Sequence, residues 1–169
     1  DKALDYFFKT LAMDELGRDK RYIAQSNANI GTVYSDMGNF EKALEYLNKS
    51  LQMRQEVNDE YGIASSLRYL GFVFIGMKKY SNAIDNFQKS AGIANKIHNK
   101  KIQRFVYEGL AAAYSEKGNF QKAFHYYQLV AEVKDSLLNE KNNRQVAELE
   151  MQYQVGKKEQ ENILLAKEN

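Results

Sequence analysis

SDMGNFEKALEYLNKSL, residues 35–51, has a near copy in SEKGNFQKAFHYYQLVA, residues 115–131. Around these two phrases, Tyr34, Phe74 and Tyr114 lie 40 residues apart, so a third unit fills the interval. Similarity at a fixed period is typical of repeat proteins, whose units stack because no single unit can bury its apolar face alone. The sequence therefore predicts an array of stacked repeats.

Each repeat consists of two predicted helices. The first has apolar residues at helical spacing, as in Ile23, Ile30 and Tyr34. It ends at Gly38-Asn39, because these residues tolerate the left-handed backbone conformation, and the second helix follows near Phe40. The predicted helices are 1–15, 20–37, 41–57, 60–77, 81–97, 100–117 and 121–138, with a last helix from 142 toward the end of the chain.

We therefore predict an all-α fold, an α-solenoid of antiparallel helix pairs that forms a right-handed superhelix and ends in a long C-terminal helix. Two regions are expected: a solenoid at 1–139 and a C-terminal capping or linker helix at 140–169 that leads to a downstream region. The solenoid divides into a half repeat and three full repeats, at 1–18, 19–58, 59–98 and 99–139.

Small residues recur where paired helices are expected to approach closely. They occupy two register positions, Gly31, Gly71 and Ala111 in the first helices and Ala43, Ala83 and Ala123 in the second helices. Bulky neighbours fill the space around such positions in a close-packed core. A larger residue there is expected to overpack the joint.

Composition excludes several functional classes. The chain has 24 basic and 22 acidic residues, a net charge of +2, which gives no strong attraction to nucleic acid or anionic lipid. It has no cysteine, and its apolar runs are shorter than the roughly 18–20 residues of a membrane span. We expect no directly bound nucleic acid and no membrane insertion by this segment. Because the chain starts at Asp1 without methionine, we interpret it as a piece of a longer protein.

Catalytic and metal-binding patterns are also missing from the sequence. His98 and His125 do not share the i, i+4 spacing of a zinc site on a helix. No glycine-rich phosphate-binding motif occurs, and the carboxylates follow polar helix faces. The sequence therefore predicts a protein that is not an enzyme and that has no cofactor and no metal.

The repeat resembles the tetratricopeptide repeat over about residues 1–139. The matching residues are Gly31, Tyr34, Gly38, Asn39, Phe40 and Ala43 in one unit, Gly71, Phe74, Tyr80 and Ala83 in the next, and Ala111, Tyr114, Gly118, Asn119, Phe120 and Ala123 in the third. The period of 40 exceeds the family's usual value of about 34, and the chain has no proline. The resemblance implies a module that binds a protein or peptide segment.

The tail, residues 133–169, contains Lys-Asp-Ser-Leu at 134–137, Ala-Glu-Leu-x-x-x-Tyr at 147–153 and Leu-x-Lys-Glu-Asn at 165–169. On these motifs it resembles the segment after the repeats in Bacteroidetes-type sensor histidine kinases and repeat-bearing transcription regulators. This resemblance implies the sensory or scaffold region of a bacterial two-component signalling protein, coupled to its output through the C-terminal helix. The location would then be periplasmic, and otherwise cytoplasmic. The alternative is a stand-alone adaptor for a protein complex, with no signalling output.

Binding is predicted in the concave groove, on residues of the first helices that the core does not claim. The candidates are Gln25, Ala28, Asn29, Thr32, Ser35, Arg68, Tyr69, Phe72, Ile75, Phe105, Glu108, Ala112 and Ser115. Arg68 and Glu108 would be charged contacts in a largely apolar surface. Phe72 and Ile75 have two interpretations: exposed anchors for a partner, or packing against a neighbouring helix.

The C-terminal helix has two interpretations as well. Val146, Leu149 and Tyr153 lie on one helical face and can cover the exposed end of the last repeat, as solenoids require. The other interpretation is a helix that extends toward a further domain or forms a homodimer with a second copy.

Overall fold

A computed structural model describes residues 2–168 and the side chains of residues 2–158. The first and last residues of the predicted regions, Asp1 and Asn169, lie outside the described residues. Within the described range every regular element is an α-helix, and there is no strand. The helices are α1 (Lys2–Gly17), α2 (Lys20–Asp36), α3 (Phe40–Glu56), α4 (Glu60–Gly76), α5 (Tyr80–Lys96), α6 (Lys100–Glu116) and α7 (Phe120–Glu168). The predicted all-α solenoid is confirmed.

The turn between paired helices follows the prediction at Gly38 and differs from it at Asn39, which caps the second helix with φ −86° instead of adopting the left-handed conformation. Gly38 adopts φ +74°, and the Asn39 side chain accepts a hydrogen bond from the Lys42 backbone N–H, which caps α3. In the middle repeat Lys78 takes φ +56° at the same place, and Lys79 provides no side-chain cap for α5. The repeat therefore keeps its turn where the favourable residues are missing.

The small residues mark close helix approaches. A Cβ built on Gly31 would lie 2.7 Å from Leu47 Cγ and 3.2 Å from the Ala43 carbonyl oxygen. A Cβ on Gly71 would lie 2.6 Å from the ring of Phe87. The predicted close approach of α2 to α3 and of α4 to α5 is confirmed.

Contacts between helices identify the inner side of the array. α2 contacts α4, and α4 contacts α6, whereas α3 and α5 do not contact each other. The first helices of the repeats are thus closer together than the second helices, which is the geometry of a curved solenoid with α2, α4 and α6 inside.

The break predicted between 138 and 142 is wrong. α7 is a single helix from Phe120 to Glu168, because no glycine lies between Gly118 and Gly156 and the chain has no proline. The described chain divides into two compact units, residues 1–131 and 132–169.

The side chains expected to cap the last repeat are exposed. Val146, Leu149 and Tyr153 are 54%, 65% and 69% accessible to solvent. The capping role of residues 140–169 stays a prediction.

Candidate binding groove

The concave groove is the inner surface formed by α2, α4 and α6. Of the predicted groove residues, Gln25 and Phe72 are exposed, and ten more keep partial exposure: Asn29, Thr32, Ser35, Arg68, Tyr69, Ile75, Phe105, Glu108, Ala112 and Ser115. Ala28 is the exception. Its side chain is 1% exposed and belongs to the core cluster with Leu70 and Val73, because a single methyl group does not reach past the neighbouring helices.

A cavity of about 190 Å³ opens between α2 and α4. Four predicted residues line it, Thr32 and Ser35 from α2 and Tyr69 and Phe72 from α4. The other lining residues are Asp36, Leu47 and Val73. None of these three is among the predicted groove residues; Leu47 belongs to the core, and Asp36 ends α2. The cavity is open on a mixed surface of hydroxyl, carboxylate and aromatic groups.

Arg68 links the cavity to the next repeat. Its guanidinium carbon lies 4.2 Å from the ring centroid of Tyr69 and 4.9 Å from that of Phe105. Both distances are within the range of cation–π contacts. The Nε atom of Arg68 is buried and has no hydrogen-bond partner. The structure thus holds a positive charge against two aromatic rings, with Nε buried beneath the surface.

Phe72 and Ile75 have different surroundings. Phe72 is 36% exposed, and its ring packs edge-on against Phe87 with centroids 5.0 Å apart. Ile75 packs against the core cluster around Phe87. Phe72 therefore presents an apolar surface to the groove while Phe87 holds its ring in position. Ile75 mainly packs in the core.

Polar groups in the N-terminal half of α2 are held in place by hydrogen bonds. Gln25 Nε2 donates to Asn29 Oδ1 at 2.9 Å, one helical turn apart on α2. Gln25 Oε1 accepts a hydrogen bond of 2.7 Å from Arg54 Nη2 of α3. These predicted groove residues are part of a network rather than free contacts.

Arg54 is the feature that sequence reasoning missed. Its side chain is 4% exposed, and Nη1 donates to the Gly62 carbonyl at 2.6 Å and contacts Ser66 Oγ at 3.3 Å. Together with Gln25 these bonds connect α2, α3 and α4. Burial lowers the pKa of the Arg54 guanidinium, and the nearby Asp59 carboxylate opposes that shift. The repeat register could have indicated that position 54 is buried, because the next repeat has the small apolar residue Ala94 there.

The comparisons with known proteins identify the family. The model of the tetratricopeptide repeat matches residues 1–56 and 62–136, so the chain belongs to the tetratricopeptide repeat family. The fold of this family generally serves protein interaction rather than catalysis. No curated protein sequence matches the chain.

Solved structures show the same fold at low sequence identity. BtubC from P. vanneervenii matches with a TM-score of 0.72 at 19% identity, over 81% of this chain and 57% of that one. A Rap protein complexed with competence and sporulation factor matches with a TM-score of 0.72 at 21% identity, over 77% of this chain and 36% of that one. The tetratricopeptide domain of Arabidopsis FLU matches with a TM-score of 0.66 at 21% identity, over 70% of this chain and 99% of that one. The chain thus spans a little over half of BtubC and about a third of the Rap protein.

The described side chains provide no cluster of three or more histidine or carboxylate groups able to hold a metal ion. In the same part of the chain, no helix combines the length and the apolar character needed to cross a bilayer.

Proposed function

We propose that the chain binds a protein or peptide segment in the concave groove, with an apolar side chain against Tyr69 and Phe72 and a carboxylate at Arg68. The observation that supports this most directly is Arg68 itself, a half-exposed cation against the rings of Tyr69 and Phe105. A guanidinium favours carboxylate partners, because its planar donors match two carboxylate oxygens.

The cavity beside Arg68 suits an apolar anchor. Phe72 and Tyr69 offer aromatic surface next to about 190 Å³ of open space, and Thr32 and Ser35 provide hydroxyl groups on the opposite helix. Interfaces typically depend on a few such anchors in well-packed pockets. Among proteins of similar fold, the Rap protein was solved in complex with competence and sporulation factor, which is consistent with use of this fold for recognition.

The experiment is a selection of random dodecamer peptides, displayed on phage, against the immobilised chain. We expect the enriched peptides to share an acidic residue near an apolar one. We expect them to be lost from the double variant Arg68→Glu, Phe72→Ala.

The matched control is Lys9→Glu, Phe8→Ala on α1. Phe8 is 37% exposed and Phe72 36%, each ring packs edge-on against another, and the charge change is the same. Retention of the enriched peptides by the groove variant, or no enrichment over an unrelated protein, would refute the proposal.

We further propose that groove occupancy is passed on through α7 to an output region of a bacterial signalling protein. Two features support this: the resemblance of the tail, and the continuity of α7 from the last repeat to Glu168. Hydrogen exchange with and without an enriched peptide tests the coupling. Signalling predicts altered protection in α7, whereas the adaptor alternative predicts changes confined to α2, α4 and α6.

A further inference from the structure

The first turns of α7 expose an apolar face whose counterparts in the earlier repeats are buried or half-buried. Phe120, Phe124 and Tyr127 are 70%, 65% and 55% exposed. The counterparts of Tyr127 in the preceding repeats, Leu47 and Phe87, are both 0% exposed. The same register position is therefore core in two repeats and surface in the third.

In the preceding repeats this face is covered by the first helix of the next repeat. Phe40 of α3 packs on α4, where a Cβ at Gly76 would lie 2.6 Å from the Phe40 ring. One repeat later, Tyr80 of α5 donates a 3.0 Å hydrogen bond to Glu116 at the end of α6. The two pairs occupy equivalent positions, because Tyr80 and Glu116 each lie 40 residues after Phe40 and Gly76.

The same antiparallel register continues further along the helices. Phe87 of α5 fills the space beside Gly109 of α6. One repeat step moves this pair to Tyr127 and Leu149, and it moves the pair of Tyr80 and Glu116 to Phe120 and Gly156. The segment that should cover the exposed face is thus residues 146–156 of this sequence, with Gly156 beside Phe120 as Gly76 is beside Phe40.

Residues 146–156 are suited to this role and are themselves uncovered. Val146, Leu149 and Tyr153 are more than half exposed, and a Cβ at Gly156 would have no neighbour within 4 Å. α7 itself is one continuous helix from Phe120 to Glu168.

We infer that a second copy of the chain supplies this partner: two α7 helices pair antiparallel, and residues 146–156 of each copy cover the Phe120, Phe124 and Tyr127 face of the other. The interface continues the packing already present between α3 and α4 and between α5 and α6. Such an exchange of equivalent elements gives a closed, two-fold symmetric dimer.

The register places the two-fold axis at Leu138. This residue lies midway between Phe120 and Gly156 and midway between Tyr127 and Leu149, so it meets its own copy. Leu138 is 56% exposed, an apolar side chain on the surface where the symmetric contact requires one.

Cysteine cross-linking of the full chain tests the arrangement, because the chain has no native cysteine. Leu138→Cys is expected to form a disulfide-linked dimer on oxidation, whereas Phe120→Cys alone is not. The double variant Phe120→Cys, Gly156→Cys is expected to form linked dimers. Linkage by Phe120→Cys alone would indicate parallel pairing, and a disulfide within one chain would indicate a folded-back cap; either result overturns the inference.

Light scattering after gel filtration measures the oligomeric state directly. The wild type is expected to have the mass of a dimer, and Phe124→Glu and Leu149→Glu that of a monomer with unchanged helix content. Met151→Glu is the matched control, since Met151 is exposed and lies about 200° around α7 from Leu149. It should leave the dimer intact. A monomeric wild type, or a dimer that survives both interface variants, contradicts the pairing.

Discussion

The ring of Phe87 occupies the space that a side chain at Gly71 would need, since a Cβ there would lie 2.6 Å from Phe87 Cε1. Gly109 faces the same ring from the next repeat. One buried aromatic residue of α5 thus fixes the spacing of α4 and α6, and both of those helices contribute to the concave groove.

Gly71→Ala should destabilise the chain by about 1–3 kcal/mol, because a fully buried ring must shift to admit one methyl group. Gly92→Ala is the control, since a Cβ at that position in α5 has no neighbour within 4 Å. It should stabilise the chain by up to about 1 kcal/mol through helix propensity. Urea unfolding measures both variants, and equal stability of Gly71→Ala and wild type would disprove the packing role.

Arg54→Ala should lower the free energy of unfolding by about 2–3 kcal/mol. It removes the donor to the buried Gly62 carbonyl and leaves a space where α3 packs against α4. Adding Ser66→Val gives these two positions the residues of the next repeat, which has Ala94 and Val106 there. The double variant should therefore be more stable than the two single effects predict. A double-mutant cycle by urea unfolding measures the difference, and strictly additive effects would contradict the network.

The ion pair of Lys20 and Glu56 should make stability depend on pH. Lys20 Nζ donates to Glu56 Oε2 at 2.7 Å, and this hydrogen bond lowers the pKa of Glu56. A lowered carboxylate pKa stabilises the folded state above the ordinary glutamate pKa, and the benefit is lost as pH falls through the lowered value.

The measurement is the melting temperature of wild type and Glu56→Gln across that range. The wild type should have the higher value near neutral pH, and the difference should vanish in acid and shrink at high salt, because the pair is exposed. A difference that is independent of both pH and salt would exclude the ion pair as its cause.

Much of the fold could be predicted because it repeats. The period fixed the helix pairs, and the small residues at Gly31 and Gly71 located the close contacts. The groove was harder to define, because Ala28 shares a register position with Arg68 and only side-chain length separates core from surface there. Arg54 was missed because a buried arginine breaks the apolar pattern. The length of α7 was missed because the helix lengths of the earlier repeats were extended to the last one, although a helix continues where no glycine or proline intervenes.

The most direct test of groove binding is a calorimetric titration of one enriched peptide into five proteins. They are the wild type, the single groove variants Arg68→Glu and Phe72→Ala, and the single control variants Lys9→Glu and Phe8→Ala. We predict that each groove variant raises Kd by about tenfold or more, the equivalent of about 1.4 kcal/mol, while both controls bind as the wild type does. Wild-type affinity in Arg68→Glu and Phe72→Ala would place binding outside the groove and contradict the account.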